Sequence, residues 1–534
     1  MADGNVVTVT CKASANYVLT SNSQTVNGSF ALKKNTMGNI ITLDDCRLTY
    51  ASGVESKGIS GAKEGTTFVV VKDKTVNSIK SYKKCLDFGQ DPTEEGNEDF
   101  TGGDVVISGS GKLTMQSDAK GCLYSEGGYV YLHKGTILNI TPAEGKNGIA
   151  GYTGVTVGGG VQNITLSGGY YDEDEKSAET SKGIKSDTGT LKFLGGRTTV
   201  INSGTAIYDK VEKDYSAAAC VKADDIYVDG GTLLCYAKGN GGKGIRAGNN
   251  MTVASGTIEV ITEGKNLANN DDNTYDSSDA IDKKYPNTTV VDANPKAIHV
   301  GDKDADPITG ELLITGGSIK VRSMYSEGIE SKKTMTISGG KVQVYATDDA
   351  INAGVSEKAN DSIVISGGTI YAYGANNDGI DSNGTITISG GTVFSSGTTG
   401  AEEGLDCDQN TFKITGGTII GLGGSTSTPT SNVCSQPSLI TTATISNGAI
   451  ITLAINDTDV VSFKCPRAYS SATILISGDG SSQGNTYKLY CGSTTLSSGT
   501  LSSMVNGSTG GGGGGTQPGG GGGNIPGGGG GRPF

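Results

Sequence analysis

A pair of adjacent glycines recurs along this chain at short, nearly regular intervals. A short period with variable insertions is typical of solenoid proteins, whose units bury their apolar faces only against neighbouring units. The repeat therefore predicts a solenoid rather than a set of unrelated domains. In the second half of the chain the steps are 23, 28, 23 and 26 residues, between Gly316-Gly317, Gly339-Gly340, Gly367-Gly368, Gly390-Gly391 and Gly416-Gly417.

Within each repeat, apolar and polar residues alternate. Ile386 and Ile388 precede one glycine pair in this way, and a period of two indicates strands with one buried face. Each repeat also carries a small residue followed by an aliphatic one, as in Gly379-Ile380 and Gly404-Leu405. Two strands and one short inward-pointing turn per repeat predict a three-sided coil, with the glycine pairs at corners that need positive φ.

We therefore predict an all-β chain that folds as a right-handed parallel β-helix, a three-sided solenoid, with a small C-terminal β cap domain. A β-sandwich would need hairpin turns, and a propeller would need a period of about 40 to 50 residues. The predicted divisions are an N-terminal cap at 1–55, the β-helix at 56–424, a small β cap or sandwich at 432–505, and a flexible glycine-rich tail at 506–534.

The charge and the termini limit the possible functions. With 42 basic and 55 acidic residues the net charge is -13, which argues against a general nucleic-acid binder. The sequence contains no run of 18 apolar residues, so it predicts no transmembrane helix. The first residues lack the charged and apolar regions of a signal peptide, and we expect that a signal has been removed and that the protein is secreted or at the cell surface.

Ten cysteines occur without a C-x-x-C pair, which leaves a zinc ribbon or a thioredoxin-type redox site unsupported. We interpret most of them as small buried core residues. One disulfide among Cys434, Cys465 and Cys491 is the alternative for the C-terminal region.

Acidic residues recur at one position of successive repeats. Asp378 and Asp381 flank a Gly-Ile pair, and stacked repeats would place equivalent carboxylates about 5 Å apart. Repulsion at that spacing costs about 1 kcal/mol in water and more in a shielded site, and dense oxygen ligands suit Ca²⁺. Solvated turn formers are the alternative reading. The predicted calcium ligands are Asp378, Asp381, Glu403, Asp406 and Asp408.

Basic and aromatic residues form a second candidate set. Basic side chains at equivalent turns of earlier repeats would contact an acidic sugar chain, and tyrosine rings would stack on apolar sugar faces. Scattered solvated charge and aromatic packing between coils are the alternatives. The predicted ligand-binding residues are Lys182, Lys185, Lys243, Arg246, Tyr345, Tyr371 and Tyr373.

The repeats "SKGIKSDTGTLKFLGG" and "NNDGIDSNGTITISGG" resemble those of bacterial parallel β-helix carbohydrate-binding proteins related to polysaccharide lyases. The resemblance extends over about residues 56–424, and the segment that begins "SQPSLI" resembles the C-terminal cap of that family. It implies a secreted protein that binds a plant-type acidic polysaccharide such as pectin and holds calcium, without catalysis.

We assign no catalytic residues. His133 and His299 lie in unrelated repeats, and no motif for nucleophilic catalysis includes either of them. We therefore expect non-catalytic binding of an acidic, pectin-like or other plant cell-wall polysaccharide. A calcium-dependent uronate lyase is one alternative, with Lys332 and Lys333 as weak candidates for its base. A structural or adhesive cell-surface protein is the other.

Overall fold

The computed structural model describes residues 6–8, 15–32, 37–61, 64–94, 102–269, 274–275, 291–354 and 362–507. Among these residues the regular structure is all-β apart from one 3-10 turn at Ser431–Val433. No helix in this part of the chain is long and apolar enough to cross a membrane. The glycine-rich tail lies beyond residue 507, so its predicted flexibility falls outside the described residues.

The chain divides into two compact units. Unit 1 contains 1–265 with 293–295, and unit 2 contains 266–292 with 296–534. Parallel pairing in unit 1 already begins before residue 56, because Asn16–Leu19 pairs with Asn39–Leu43, which pairs with Thr66–Val71. These strands pair across the predicted boundary at residue 56, and the predicted domain divisions stay predictions.

In unit 1 each strand pairs in parallel with the strand at the same position of the next repeat, and three columns of strands result. The first column contains Asn16–Leu19, Asn39–Leu43, Thr66–Val71, Asp104–Gly109, Tyr129–Leu132, Gly154–Val157 and Thr190–Phe193. The second contains Thr25–Asn27, Arg47–Thr49, Val76–Ser81, Lys112–Ser117, Ile137–Thr141, Val161–Leu166 and Arg197–Asn202. The third contains Val6–Thr8, Ser29–Ala31, Ile59–Gly61, Leu86–Phe88, Leu123–Ser125, Ile149–Gly151 and Lys182–Ser186.

Two long strands continue all three columns. Ala219–Ala237 pairs with the last strand of each column, and Lys243–Thr262 pairs with Ala219–Ala237 in parallel. Two polar insertions form antiparallel hairpins: Gly169–Asp172 with Ser177–Thr180, and Ile207–Asp209 with Asp214–Ser216. The long insertion after Gly264 is described only in part, as the short strands Leu267–Asn269, Thr274–Tyr275 and Val291–Ala293.

Unit 2 repeats the same parallel pattern. Its turn column contains Ile298–Val300, Ile329–Ser331, Ile351–Ala353, Ile380–Ser382 and Leu405–Asp406. The other two columns begin with Glu311–Ile314, Thr334–Ile337, Ser318–Ser323 and Lys341–Ala346, and continue through the long strands Ser362–Gly374, Thr385–Ser396 and Phe412–Gly423.

The C-terminal residues of unit 2 pair differently. Tyr469–Ser477 runs antiparallel to Phe412–Gly423 and to Ser438–Ile445, and Ser438–Ile445 also pairs with Val505–Gly507. A separate antiparallel sheet has the strand order Thr458–Lys464, Ile450–Ile455, Thr486–Cys491 and Thr494–Thr500. An apolar cluster that includes Ile420, Ile451 and Tyr469 joins these strands to the last parallel strand.

The alternation seen in the sequence places the core. Ile363, Ile365, Ile386 and Ile388 are fully buried, and each pair lies opposite the other on adjacent strands. The positive φ predicted at the glycine pairs is also present. Gly391 has φ +82°, and a Cβ there would lie 2.8 Å from the backbone of Gly367 in the previous repeat.

The small residue before each turn strand has a steric reason. A Cβ at Gly379 would lie 2.1 Å from Ser395 Oγ and 2.7 Å from Ser396 N, and a Cβ at Gly328 would lie 2.2 Å from Val344. The turn column therefore packs so closely that only a small residue fits at this position.

All nine described cysteines carry free thiols, and Cys11 lies outside the described residues. Seven of the nine are buried, as the core interpretation predicts. Cys434, Cys465 and Cys491 are all free, so the alternative of a disulfide among them does not occur in this structure.

Candidate cation site and ligand-binding residues

Two rows of side chains lie along the turn column of unit 2, and we call them together the acidic ladder. Row A precedes each turn strand, and row B is the second residue of each strand. Backbone pairing fixes the spacing, as when Gly328 N donates to Asp349 O at 3.0 Å. Row A contains Lys296, Glu327, Asp349, Asp378 and Glu403, and row B contains His299, Glu330, Asn352, Asp381 and Asp406.

The acidic side chains at the start of the ladder form ion pairs with basic side chains. Lys296 Nζ lies 2.8 Å from Glu327 Oε1 and 2.6 Å from Glu330 Oε1, and His299 Nε2 lies 3.3 Å from Glu330 Oε2. Lys332 also forms an ion pair with Glu330. Burial alone would raise the pKa of Glu330, but Lys296, His299 and Lys332 hold it well below the usual value. At this end of the ladder, basic residues therefore balance the charges of Glu327 and Glu330.

In the next two repeats, no described basic side chain pairs with the acidic ones. Asp349, Asp378 and Asp381 each offer a carboxylate oxygen, and these three oxygens lie within 4.8 Å of one another. Asp349 and Asp378 are each only 7% exposed. Burial raises the pKa of Asp378 to about 8, and burial followed by the charge of Asp381 raises the pKa of Asp349 well above its usual value. A bound cation would therefore stabilise the ionised form of these carboxylates.

Hydrogen bonds orient these carboxylates. The backbone N–H of Asp378 donates to Asp349 Oδ1 at 3.0 Å, and the backbone N–H of Glu403 donates to Asp378 Oδ1. Asn352 Nδ2 donates to Asp381 Oδ2. Because row B has the neutral amide of Asn352 beside Asp381, only three carboxylates among the described residues face one another here.

The remaining predicted calcium ligands extend the ladder. Asp406 lies opposite Asp381 on the adjacent strand, and Asp406 Oδ1 accepts a bond from Ser427 Oγ at 2.9 Å. Burial and then Asp406 raise the pKa of Glu403 to about 8, and Glu403 Oε2 is buried without a hydrogen-bond partner. Asp408 is exposed, and its N–H donates to Asp406 Oδ1 at 3.0 Å.

The predicted basic residues lie together in unit 1. Lys185, Lys222 and Arg246 are directly opposite one another on three successive parallel strands, and Lys182 and Lys243 flank Ala219 three residues earlier on the same strands. We call these five residues the basic column. Lys182 Nζ donates to Thr180 Oγ1 at 2.6 Å, and burial together with the charges of Lys222 and Lys185 lowers the pKa of Lys182 to about 7.

The predicted tyrosines lie in unit 2 and form two stacks. Tyr345 and Tyr373 stack with ring centroids 5.2 Å apart, and Arg322 and Arg467 lie over their outer faces at 5.1 and 4.1 Å. Tyr371 stacks on Phe394 at 4.9 Å. Because neighbours cover both faces of Tyr345 and Tyr373, these rings would meet a ligand with their edges and hydroxyl groups.

The two weak candidates for a lyase base are both ion-paired. Lys332 pairs with Glu330, and Lys333 Nζ lies 2.6 Å from Glu311 Oε1. Burial lowers the pKa of Lys332, although the charge of Glu330 opposes this effect.

Two members of these sites were missing from the residues predicted as ligands. Asp349 occupies the position of Asp378 in the preceding repeat, and its place in the facing triad follows from the register. Lys222 follows Cys220-Val221 rather than a Gly-Ile pair, so its repeat lacks the motif that marks the others. Only its pairing with Lys185 and Arg246 identifies it.

Comparison with known proteins agrees with a carbohydrate-related role. A family model described as "Carbohydrate-binding domain-containing protein" matches residues 308–499, which include most of the acidic ladder and the tyrosine stacks. This match supports carbohydrate binding. No curated protein matches the chain, and no solved structure does.

Proposed function

We propose that this protein binds an acidic polysaccharide without catalysis, and that calcium held by the acidic ladder assists the binding. The observation that carries this proposal is the triad of Asp349, Asp378 and Asp381, of which the first two are buried. The triad has no basic partner among the described residues and lies inside the region matched by the carbohydrate-binding family. A pectin-like or other plant cell-wall polysaccharide is the proposed ligand class, since uronate carboxylates would complete the coordination of a protein-bound calcium ion.

The donor set of the ladder fits calcium. Carboxylate oxygens are hard ligands, and Ca²⁺ accepts six to eight of them in a flexible arrangement. Asp349, Asp378 and Asp381 would hold the ion, and Glu403 with Asp406 would add oxygen donors from the next rung. A bound dication would neutralise carboxylates whose burial otherwise opposes ionisation.

The basic column and the tyrosines would contribute in different ways. Lys182, Lys185, Lys243 and Arg246 would attract sugar carboxylates directly, and Lys222 belongs with them by position. Tyr345, Tyr371 and Tyr373 would offer ring edges and hydroxyls to sugar hydroxyls.

We also infer that the parallel columns are the coils of a right-handed β-helix and that the protein works outside the cell. Support for the first comes from pairing of equivalent strands in successive repeats together with positive-φ glycine corners. Support for the second comes from the ligand class, because plant cell-wall polysaccharides are extracellular.

The direct test is a binding panel on the whole chain with calcium present. Polygalacturonate and alginate represent acidic chains, and arabinan and cellulose represent neutral ones. We expect binding of at least one acidic chain and weak or no binding of the neutral chains. Binding of neutral chains alone would contradict the proposed ligand class, and ultraviolet absorbance from an unsaturated product would contradict the absence of catalysis.

A further inference from the structure

Three side chains in a seven-residue segment of the C-terminal part hold the loops of the acidic ladder. We call Arg467–Thr473 the clamp segment. Arg467 donates through Nη1 to Ala375 O at 3.0 Å and through Nη2 to Gly374 O. The hydroxyl of Tyr469 donates to Gly397 O at 2.7 Å, and Thr473 Oγ1 donates to Gly424 O at 2.9 Å.

The bound carbonyls lie where successive loops leave the long strands. Gly374 ends the strand before the loop that carries Asp378, and Gly397 begins the loop that carries Glu403. The packing there is tight, since a Cβ at Gly374 would lie 2.0 Å from Asp378 O and one at Gly397 would lie 2.0 Å from Glu403 O. A displacement of either glycine would therefore move the backbone of an acidic residue.

The loops are also joined to each other. Thr398 N donates to Asn377 O at 3.0 Å, and Gly424 N donates to Glu402 O at 2.9 Å. The clamp segment thus contacts three loops that already share hydrogen bonds with one another. Its buried members leave little freedom, because Tyr469 is 1% exposed and also bonds Ser396 Oγ at 2.8 Å.

We propose that Arg467 and Tyr469 are positioning residues for the cation site, so that the C-terminal part of the chain sets the calcium affinity of the acidic ladder. This inference rests on the proposed calcium site. Neither side chain contributes an oxygen ligand to the cation. Both act by fixing the spacing of the loops that present Asp378 and Glu403, as outer hydrogen bonds commonly do around metal ligands. Linkage then requires that calcium, in turn, stabilises the docking of the clamp segment.

The experiment uses the full chain and isothermal calorimetry with calcium chloride. Arg467→Gln removes both carbonyl contacts, and Tyr469→Phe removes only a hydroxyl. Arg322→Gln is the matched control for Arg467, because Arg322 also lies over a stacked tyrosine but makes no hydrogen bond to a described loop of the ladder. Tyr487→Phe is the control for Tyr469, because its hydroxyl bonds Ser497 within the C-terminal sheet.

We expect the calcium Kd to rise about 10- to 100-fold in Arg467→Gln and by a smaller factor in Tyr469→Phe, with the controls within about twofold of the wild type. A second readout is the number of waters on bound terbium, measured by its luminescence lifetime. This number should rise in the clamp variants and stay constant in the controls, which a loss of global stability would not produce. Tyr469→Phe keeps the buried ring, so it tests the inference even where Arg467→Gln fails to fold.

The outcomes separate the two proposals. Wild-type protein that binds no calcium would overturn the proposed cation site and this inference together. Wild-type protein that binds calcium, with clamp variants indistinguishable from their controls in Kd and in terbium hydration, would overturn the positioning role alone.

Discussion

Lys296 Nζ and Glu330 Oε1 lie 2.6 Å apart, so an acidic rung at the start of the ladder is paired with a base from the preceding repeat. Asp381 occupies the same row two repeats later, where its partners are Asn352 and other acidic residues. The ladder thus changes from an internally neutral segment to one with excess negative charge. The point of change locates the candidate cation site.

The paired end should depend strongly on its base. Lys296→Met leaves the buried Glu330 and the partly buried Glu327 with fewer counter-charges, and breaking a buried pair costs about 3–5 kcal/mol. We expect a loss of that order in the free energy of unfolding, measured by urea denaturation at pH 7. Lys333→Met is the control, since its exposed pair with Glu311 should contribute about 1 kcal/mol or less. Equal losses in both variants would contradict the distinction.

Removing one carboxylate from the triad should act in opposite directions on stability and on calcium binding. Asp349→Asn relieves repulsion with Asp378 and Asp381, so the calcium-free protein should melt at a higher temperature. The same change removes a charged ligand, so calcium affinity should fall by about tenfold or more. Scanning calorimetry with and without calcium measures both effects, and Asp304→Asn on an exposed loop is the control. A lower melting temperature of the variant without calcium would contradict the expected repulsion among the three carboxylates.

The raised pKa values predict an unusual dependence of stability on pH. Burial raises the pKa of Asp378 from an ordinary value of 3.8 to about 8 in the folded protein, so between these limits the folded state binds more protons than the unfolded state. Without calcium, the free energy of unfolding should therefore fall as pH rises from about 4 through 8. Calcium should oppose this loss most strongly at the alkaline end, because it competes with protons for the same oxygens. Urea denaturation with a chelator at pH 5, 6, 7 and 8 measures this dependence. A free energy of unfolding that does not change with pH would contradict the raised pKa values.

The basic column predicts salt-sensitive recognition. Lys185→Ala with Lys222→Ala should weaken binding of polygalacturonate and should reduce its dependence on salt, because exposed charges are screened over about 8 Å at physiological ionic strength. Lys192→Ala with Lys238→Ala provides a control of equal charge outside the column. Equal loss of affinity in both double variants, measured by calorimetry at two salt concentrations, would indicate a general charge effect rather than a site.

Local repetition made much of this architecture predictable. The alternation around Ile386 and Ile388 specifies strands with a buried face, and the glycine pairs specify positive φ, as Gly391 with φ +82° confirms. The carboxylate row was predictable for the same reason, because a fixed repeat turns equal spacing in sequence into proximity in space.

Contacts that break the repeat were not predictable. Lys222 has no Gly-Ile marker, and only strand register brings it opposite Lys185. Arg467 reaches Gly374 across 93 positions of sequence, through the docking of one antiparallel strand. The same docking places Arg467 over the ring of Tyr373, whereas Tyr345 stacks on that ring from the adjacent parallel strand, as the alternative of aromatic packing between repeats predicts.

The most direct test of the account is calorimetry of polygalacturonate binding in calcium and after chelation, with wild-type protein and the Asp378→Ala, Asp381→Ala double variant. We predict binding by the wild type that weakens when calcium is chelated, and weak binding by the variant under both conditions. Binding that is unchanged by chelation and by the double substitution would show that these aspartates only shape their turns, and it would contradict the calcium-assisted site.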